Sequence, residues 1–228
     1  MSSPGTVIDS DGAVLLVGGS PDLSDVLPGL AAQAARIVAA DSGAEAVIAL
    51  DRTPDAVIGD MDSLSDDVAS RLPTTLLHHI AEQDSTDFEK CLSRIEAPLI
   101  LGAGFTGGRV DHTLAAMNVL VRYPQKRCVL VGREDAICVA PPGIELALPK
   151  KTRLSLFPMA AVTGTSEGLN WPIDGLLFEP AAQIGTSNFV TGPVRLLVDQ
   201  PAMLLILPRV CLPDFLVALG TAPRWSVA

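Results

Sequence analysis

An α/β fold is predicted by three observations. Continuous apolar runs alternate with helix-length segments up to residue 140, Pro141-Pro142-Gly143 then punctuates the chain, and short strands separated by turns follow. Residues 1–140 are read as a mainly parallel sheet with helices on both faces. Residues 141–228 are read as a smaller antiparallel β-sandwich of about 80 residues.

In chain order, the strand candidates of the first region are Ala13–Gly18, Arg36–Ala40, Asp55–Gly59, Thr75–Ile80, Pro98–Gly102 and Arg127–Gly132. Runs such as Val14-Leu15-Leu16-Val17 carry no polar face, as expected of strands covered on both sides. Between them Leu23–Ala35, Ala44–Asp51, Ser65–Leu72, Thr86–Ile95 and Asp111–Tyr123 are each long enough for a helix. In the second region the expected strands are Ile144–Leu148, Arg153–Phe157, Leu176–Glu179, Val194–Val198 and Met203–Leu207. Polar and apolar residues alternate in Arg153-Leu154-Ser155-Leu156, the mark of a half-buried strand. The last stretch, Leu212–Ala228, suits either a short helix or a docked tail.

Composition excludes several functions. With 16 basic and 26 acidic residues the formal charge is −10, which repels nucleic acid and anionic membranes. A polyanion can still bind if a divalent cation accompanies it. Cys91, Cys128, Cys138 and Cys211 form no C-x-x-C pair and are expected to be reduced and buried. Met1-Ser-Ser-Pro-Gly5 lacks the pattern of a signal peptide, and no apolar run approaches the ~18 residues of a membrane span, so a cytoplasmic location is expected.

Four stretches carry chemistry. In Asp55-Ala-Val-Ile-Gly-Asp-Met-Asp-Ser63, Asp60 and Asp62 stand two apart at a strand end, where extended chain sends both carboxylates to one side. Two acids so close repel unless a cation lies between them, and hard oxygen ligands suit Mg²⁺. A single aspartate there would read as a turn former. Gln83-Asp-Ser-Thr-Asp-Phe-Glu-Lys90 contains a T-x-x-E capping box at Thr86 and Glu89, with Asp87 and Lys90 on one helix face. Alone this is a capped helix with an ion pair. Asp84 before it and Asp41 after an earlier strand bring further acids to the same sheet edge, the layout of a metal–phosphate site.

Gly102-Ala-Gly-Phe-Thr-Gly-Gly-Arg-Val-Asp-His112 matches G-x-G-x-x-G, but no acid follows at the distance a ribose-binding residue needs. It reads better as a phosphate-cradling loop, with Arg109 as a forked cation, Asp111 as a helix cap and His112 in the first turn. A plain strand–helix turn is the alternative for its glycines. Finally, Glu167-Gly-Leu-Asn-Trp-Pro172 and Thr186-Ser-Asn188 place Trp171, Ser187 and Asn188 in the β region. Trp171 suits either a corner of the core or a stack on a cationic heterocycle.

Taken in order, Ala40–Gly43, Pro54–Ser63, Gln83–Lys90, Gly107–His112, Glu167–Pro172 and Thr186–Asn188 resemble the motifs of the thiamine pyrophosphokinase family. The resemblance spans nearly the whole chain. One departure is Ser42, where the family usually has glycine, and the glycine loop is longer than the family's. The resemblance implies a Rossmann-like catalytic domain binding ATP and Mg²⁺ over residues 1–140 and a thiamine-binding β-sandwich over 141–228. It implies a homodimer whose site lies at the subunit interface, making thiamine diphosphate and AMP from thiamine and ATP.

By the same carry-over, Asp60, Asp62, Asp84 and Asp87 hold the metal, while Lys90 and Arg109 offset phosphate charge. Asp41, Gln83, Thr86, Asp111 and His112 belong to the nucleotide side, and Trp171, Ser187 and Asn188 contact thiamine. Asp62 and Asp87 are both candidates for accepting the proton of the attacking hydroxyl. Rival readings are an enzyme acting on another small molecule, a non-catalytic sensor and a nicotinamide dehydrogenase.

Overall fold

In the computed structural model, which describes residues 5–20, 23 and 25–226, the chain packs as two compact units. The first runs to Val119 and includes Cys128–Arg133; the second takes Leu120–Arg127 and the chain from Glu134 onward. Residues 1–4, part of the expected Leu23–Ala35 helix at Ser24 and the last two residues of the tail lie outside the described residues.

The elements of the first unit are β1 (Ile8–Asp9), β2 (Val14–Val17), α1 (Leu27–Ala31), β3 (Arg36–Ala40), α2 (Gly43–Ile48), β4 (Ala56–Gly59), α3 (Asp66–Arg71), β5 (Leu77–His79), α4 (Asp87–Leu92), β6 (Ile95–Glu96), β7 (Ile100–Ala103), α5 (Val110–Arg122, its last turn beyond the unit) and β8 (Cys128–Val131). Six of these strands pair in the order β8-β7-β2-β3-β4-β5, every pairing parallel. All four residues of β2 are fully buried, which is why that run is uniformly apolar. Each such Val or Leu contributes about 1.5–3 kcal/mol by leaving water.

Chain order reverses beside β2: β3, β4 and β5 are laid down on one side of it, β7 and β8 on the other. Loops leaving β2 and β7 therefore diverge and open a crevice at their carboxyl ends. The expected helix Thr86–Ile95 ends at Leu92, and Ile95–Glu96 instead pairs with β1.

The second unit contains β9 (Asp135–Val139), β10 (Gly143–Leu146), β11 (Arg153–Pro158), β12 (Val162–Leu169), β13 (Leu177–Phe178), β14 (Gly185–Val198), β15 (Met203–Pro208) and α6 (Leu212–Thr221). All its pairings are antiparallel. The 14-residue β14 pairs with β11 near Asn188 and with β10 and β12 beyond it. Leu154, Leu156, Val190, Leu196 and Leu205 are fully buried, as is Phe215 of α6. The C-terminal stretch is a helix whose end is fastened by Arg127 Nη2 donating to the Ala222 carbonyl at 2.6 Å.

Candidate active site

A cleft of about 700 Å³ opens at the carboxyl edge of the first unit's sheet, within the usual size range of small-molecule sites. Its walls come from the loops after β2, β3, β4 and β7, the start of α4 and the first turns of α5.

The acids enter from the ends of two strands and the start of one helix. Asp41 follows β3 with φ of 46°, a left-handed conformation that aspartate tolerates better than most residues. Its amide donates to the Ile58 carbonyl at 3.1 Å, and a Cβ on Gly59 would stand 3.0 Å from its own Cβ. Glycine at 59 thus lets Asp41 turn inward, where it is only 2% exposed. Asp60 leaves the end of β4, and Asp87 opens α4. Thr86 caps the helix as the sequence pattern expects: its Oγ1 accepts from the Glu89 amide at 3.3 Å.

Lys90, one turn into α4, is 2% exposed, and its ammonium donates to Asp60 Oδ2 at 3.0 Å and Asp87 Oδ1 at 3.1 Å. Gln83 Nε2 also donates to Asp60 Oδ2, at 3.3 Å. Lys90 is therefore a fixed strut between two carboxylates rather than a mobile surface charge.

The electrostatics separate the three acids. The hydrogen bond from Lys90 pulls the Asp60 pKa down to about 2. Burial lifts Asp87, and that outweighs the pull of the same ammonium. Burial opposes the Lys90 charge, yet its two carboxylate partners prevail and its pKa rises. Asp41 is pushed up to about 6, chiefly by burial and further by the charges of Asp87, Asp60 and Asp62. Its Oδ2 accepts from the Ser63 amide at 3.2 Å, while its buried Oδ1 has no partner among the described residues.

Carboxylate oxygens of Asp41, Asp60 and Asp87 lie within 4.8 Å of one another. Three hard oxygen donors, one of them buried and unsatisfied, fit a magnesium ion. Asp62 and Asp84, expected to share the metal, do not join this group. Asp62 Oδ1 accepts from the Ser63 hydroxyl at 2.9 Å, and the Asp84 amide donates to Glu82 Oε2 at 3.1 Å, both in exposed loop. Asp41, read from sequence as a nucleotide-side residue, takes the third place.

The glycine loop forms the opposite wall. Gly104, Gly107 and Gly108 have φ of 83°, 81° and 65°. A Cβ on Gly104 would lie 2.4 Å from the Gly18 carbonyl oxygen, so the loops after β2 and β7 touch backbone to backbone. Gly107, Gly108, Arg109 and His112 line the cleft. The sequence expects Asp111 to cap α5; instead the helix has already begun at Val110, and the Asp111 carboxylate accepts from Arg109 Nη2 at 2.6 Å and Nε at 3.1 Å. Both side chains are largely exposed, and Arg109 holds the Asp111 carboxyl below its ordinary range.

Residues the motifs did not single out complete the walls: Gly18, Gly19 and Ser20 after β2, with the rings of Phe88 and Phe105 in tilted contact, centroids 4.5 Å apart. Paired glycines directly after an apolar strand were the available signal for the first three.

In the second unit, Trp171 is 57% exposed and meets Phe189 edge-on at 5.4 Å. Asn188 is buried, and its carboxamide serves the backbone. Oδ1 accepts from the amides of Trp171 at 3.1 Å and Phe189 at 2.9 Å, and Nδ2 donates to the Trp171 carbonyl at 2.7 Å. Ser187, at φ of 62°, donates its amide to Ser155 Oγ at 3.0 Å.

Residues 27–131 match the family model described as the catalytic domain of thiamin pyrophosphokinase. The match covers the first unit from α1 to β8. Thiamine pyrophosphokinase 1 of Arabidopsis thaliana is 31% identical over 156 residues, covering 60% of this chain and 58% of the relative. Thiamine pyrophosphokinase 1 of Oryza sativa subsp. japonica is 33% identical over 156 residues, 60% and 59% of the two chains. The chain thus spans under two thirds of the length of these curated relatives. Thiamin pyrophosphokinase from Candida albicans superposes with a TM-score of 0.73 at 18% identity, covering 91% of this chain and 95% of that one. The Geobacillus thermodenitrificans thiamin pyrophosphokinase gives 0.71 at 23% identity, with 86% and 96% covered. The mixed α/β fold is therefore that of the thiamin pyrophosphokinase structures.

Proposed function

We propose that the protein is a thiamine pyrophosphokinase, transferring pyrophosphate from ATP to the hydroxyl of thiamine and releasing AMP. The observation that carries this reading is the meeting of Asp41, Asp60 and Asp87 around the buried Lys90, facing a glycine loop across one cleft. A sensor would need nucleotide contacts but no such paired-acid group.

In this reading the thiamine oxygen forms a bond to the β-phosphorus while the bond from that phosphorus to the AMP oxygen breaks in line. Such transfer asks the protein for positioning and charge neutralisation. Asp41, Asp60 and Asp87 would hold Mg²⁺, which supplies neutralisation of the phosphate charge when bound. Asp62 and Asp84, on the adjoining loops, are further acids available to it. Lys90 keeps Asp60 ionised and both carboxylates in place. Arg109 and His112 stand at the phosphate wall, with Asp111 orienting the guanidinium and Gln83 and Thr86 fixing Asp60 and α4.

The proton leaving the thiamine hydroxyl goes to Asp62 or Asp87. Near-normal turnover of the Asn variant at either position removes that candidate. Trp171 offers its exposed face to the thiamine ring, with Ser187 beside it, and Asn188 acts by holding Trp171.

The same reading takes residues 1–140 as a Rossmann-like catalytic domain and 141–228 as a thiamine-binding β-sandwich. It takes the protein as a cytoplasmic homodimer with its site at the subunit interface. No helix among the described residues is long and apolar enough to cross a membrane. The test is AMP release from ATP and Mg²⁺ with and without thiamine, followed by mass detection of thiamine diphosphate. AMP that appears only with thiamine, in step with the diphosphate, supports the reading; folded protein that yields neither product refutes it.

A further inference from the structure

The cleft contains several hydroxyl groups, and all but one are already engaged. Ser20 Oγ donates to the Thr106 carbonyl at 3.2 Å, Ser63 Oγ to Asp62 at 2.9 Å and Ser85 Oγ to Glu82 at 2.5 Å. Thr86 Oγ1 is spent on its helix cap. Ser42 also lines the cleft, half-buried, at the residue before α2. A serine there ordinarily caps its helix. Ser42 does not: its backbone is already helical, with φ of −58° and ψ of −12°, and its side chain makes no capping bond. Its hydroxyl has no hydrogen-bond partner among the described residues.

The reason it points where it does lies in its neighbour across the cleft wall. A Cβ placed on Gly19 would come within 2.3 Å of Ser42 Oγ, so glycine at 19 leaves the space the hydroxyl occupies. Ser42 also directly follows Asp41, the buried member of the acid group. The hydroxyl and that acid group line the same cleft, so a polyphosphate drawn there by a cation comes within reach of both. As a neutral donor the hydroxyl can bond a phosphate oxygen without adding charge to an acidic wall.

We propose that Ser42 is a specificity-determining contact of this chain, donating its hydroxyl hydrogen to the nucleotide's phosphates beyond the α position. This rests on the proposed function, since it requires that the cleft bind a nucleoside polyphosphate. It also gives a chemical meaning to the serine that stands where the family motif usually carries glycine.

The experiment is calorimetric titration of the full chain with ADP and with AMP, each with Mg²⁺, for the wild type, Ser42→Ala and Ser42→Gly. A hydrogen bond to a charged acceptor is worth enough to weaken ADP binding about tenfold in both variants. AMP affinity is expected to be unchanged, and unfolding midpoints to match the wild type. In turnover, KM for ATP rises by a similar factor while kcat and KM for thiamine hold, the signature of a contact made equally in ground and transition states. Equal ADP affinity in wild type and variants overturns the inference. So does an equal loss for ADP and AMP, which would place the hydroxyl on the nucleoside. A wild type that binds ADP keeps the nucleotide reading standing whatever the variants do; one that binds neither nucleotide brings down both.

Discussion

The acidic cleft of the first unit and the Trp171 region of the second hold their functional side chains by opposite means. In the cleft, charged groups restrain one another and two of them, Lys90 and Asp41, are buried: Lys90 is fixed by two carboxylates, and Asp41 is wedged against Gly59. Around Trp171 the indole stays exposed, and only its backbone is held, by the carboxamide of Asn188. A cage of buried charge stores electrostatic cost that a bound cation relieves. An exposed aromatic on a fixed backbone stores none, and presents a preorganised surface. Substitutions in the cleft should therefore change stability and chemistry together, whereas at Trp171 the two should separate.

The largest effect is expected at Lys90. Replacing it with Met leaves Asp60 and Asp87 facing one another without the ammonium. Breaking a buried pair usually costs 3–5 kcal/mol; because both carboxylates reach some water here, about 2–3 kcal/mol is expected. Turnover should fall by about 100-fold or more as the acid group loses its geometry. Urea unfolding and AMP release measure the two. A Lys90→Met protein as stable as the wild type would mean the strut is an ordinary surface pair.

Asp41 should respond in the opposite direction. Its folded-state pKa of about 6 lies above the ordinary 3.8, so the folded protein binds the proton more tightly than the unfolded chain. The resulting cost is absent below about pH 4, grows between 4 and 6, and is complete above 6. Asp41→Asn removes a charge the site must bury. With chelator present, the variant should be more stable than the wild type by about 2 kcal/mol at pH 7 and no more stable at pH 4. Magnesium should narrow the gap by stabilising the wild type alone, and activity should be lost in the variant. Parallel stability curves across pH 4–7 would contradict this account of the cage.

How much of this contrast is legible in the sequence follows from the same physics. The D-x-D at a strand end and the T-x-x-E box are local patterns, and Asp60, Thr86, Asp87 and Lys90 sit where those patterns put them. Which acids converge is not local. Asp41 joins the group because β3 and β4 pair in register, Ala40 beside Ile58, and Gly59 has no side chain. Asp62 falls outside it because Met61 turns the chain at φ of 64°, which breaks the extended geometry that would have set both carboxylates on one side. In the second unit, β12 is hidden by its Thr, Ser and Gly residues and the first half of β14 by its polar start. Both are held by long-range pairing rather than by apolar periodicity. The glycine of Glu167-Gly168-Leu169 is explained only by that pairing, since a Cβ there would meet the Pro193 carbonyl oxygen at 2.0 Å.

The next effect in size lies at Asn188, to which the proposed function gives two roles that can be pulled apart. Asn188→Ala strands the amide and carbonyl of Trp171 and the amide of Phe189. About 2 kcal/mol of stability should be lost, together with a raised KM for thiamine as the indole loses its fixed position. Asn188→Asp keeps the acceptor but not the donor, and should fall between alanine and wild type in both readouts. Variants that lose stability without any change in KM for thiamine would make Asn188 a folding residue only.

Trp171 should give the smallest change in stability and the cleanest separation. More than half of its surface is already in water, and its contact with Phe189 is a single edge-on approach. Trp171→Ala should therefore shift the unfolding free energy by only about 0.5 kcal/mol. If the indole stacks on the cationic ring of thiamine, the variant should raise KM for thiamine about tenfold with KM for ATP untouched. Trp171→Phe, which keeps a flat face of weaker quadrupole, should recover part of that loss. The comparison of the two variants decides between stacking and mere bulk. A leucine that restored binding as well as phenylalanine would show that Trp171 fills space, and would remove the indole from the proposed thiamine side of the site.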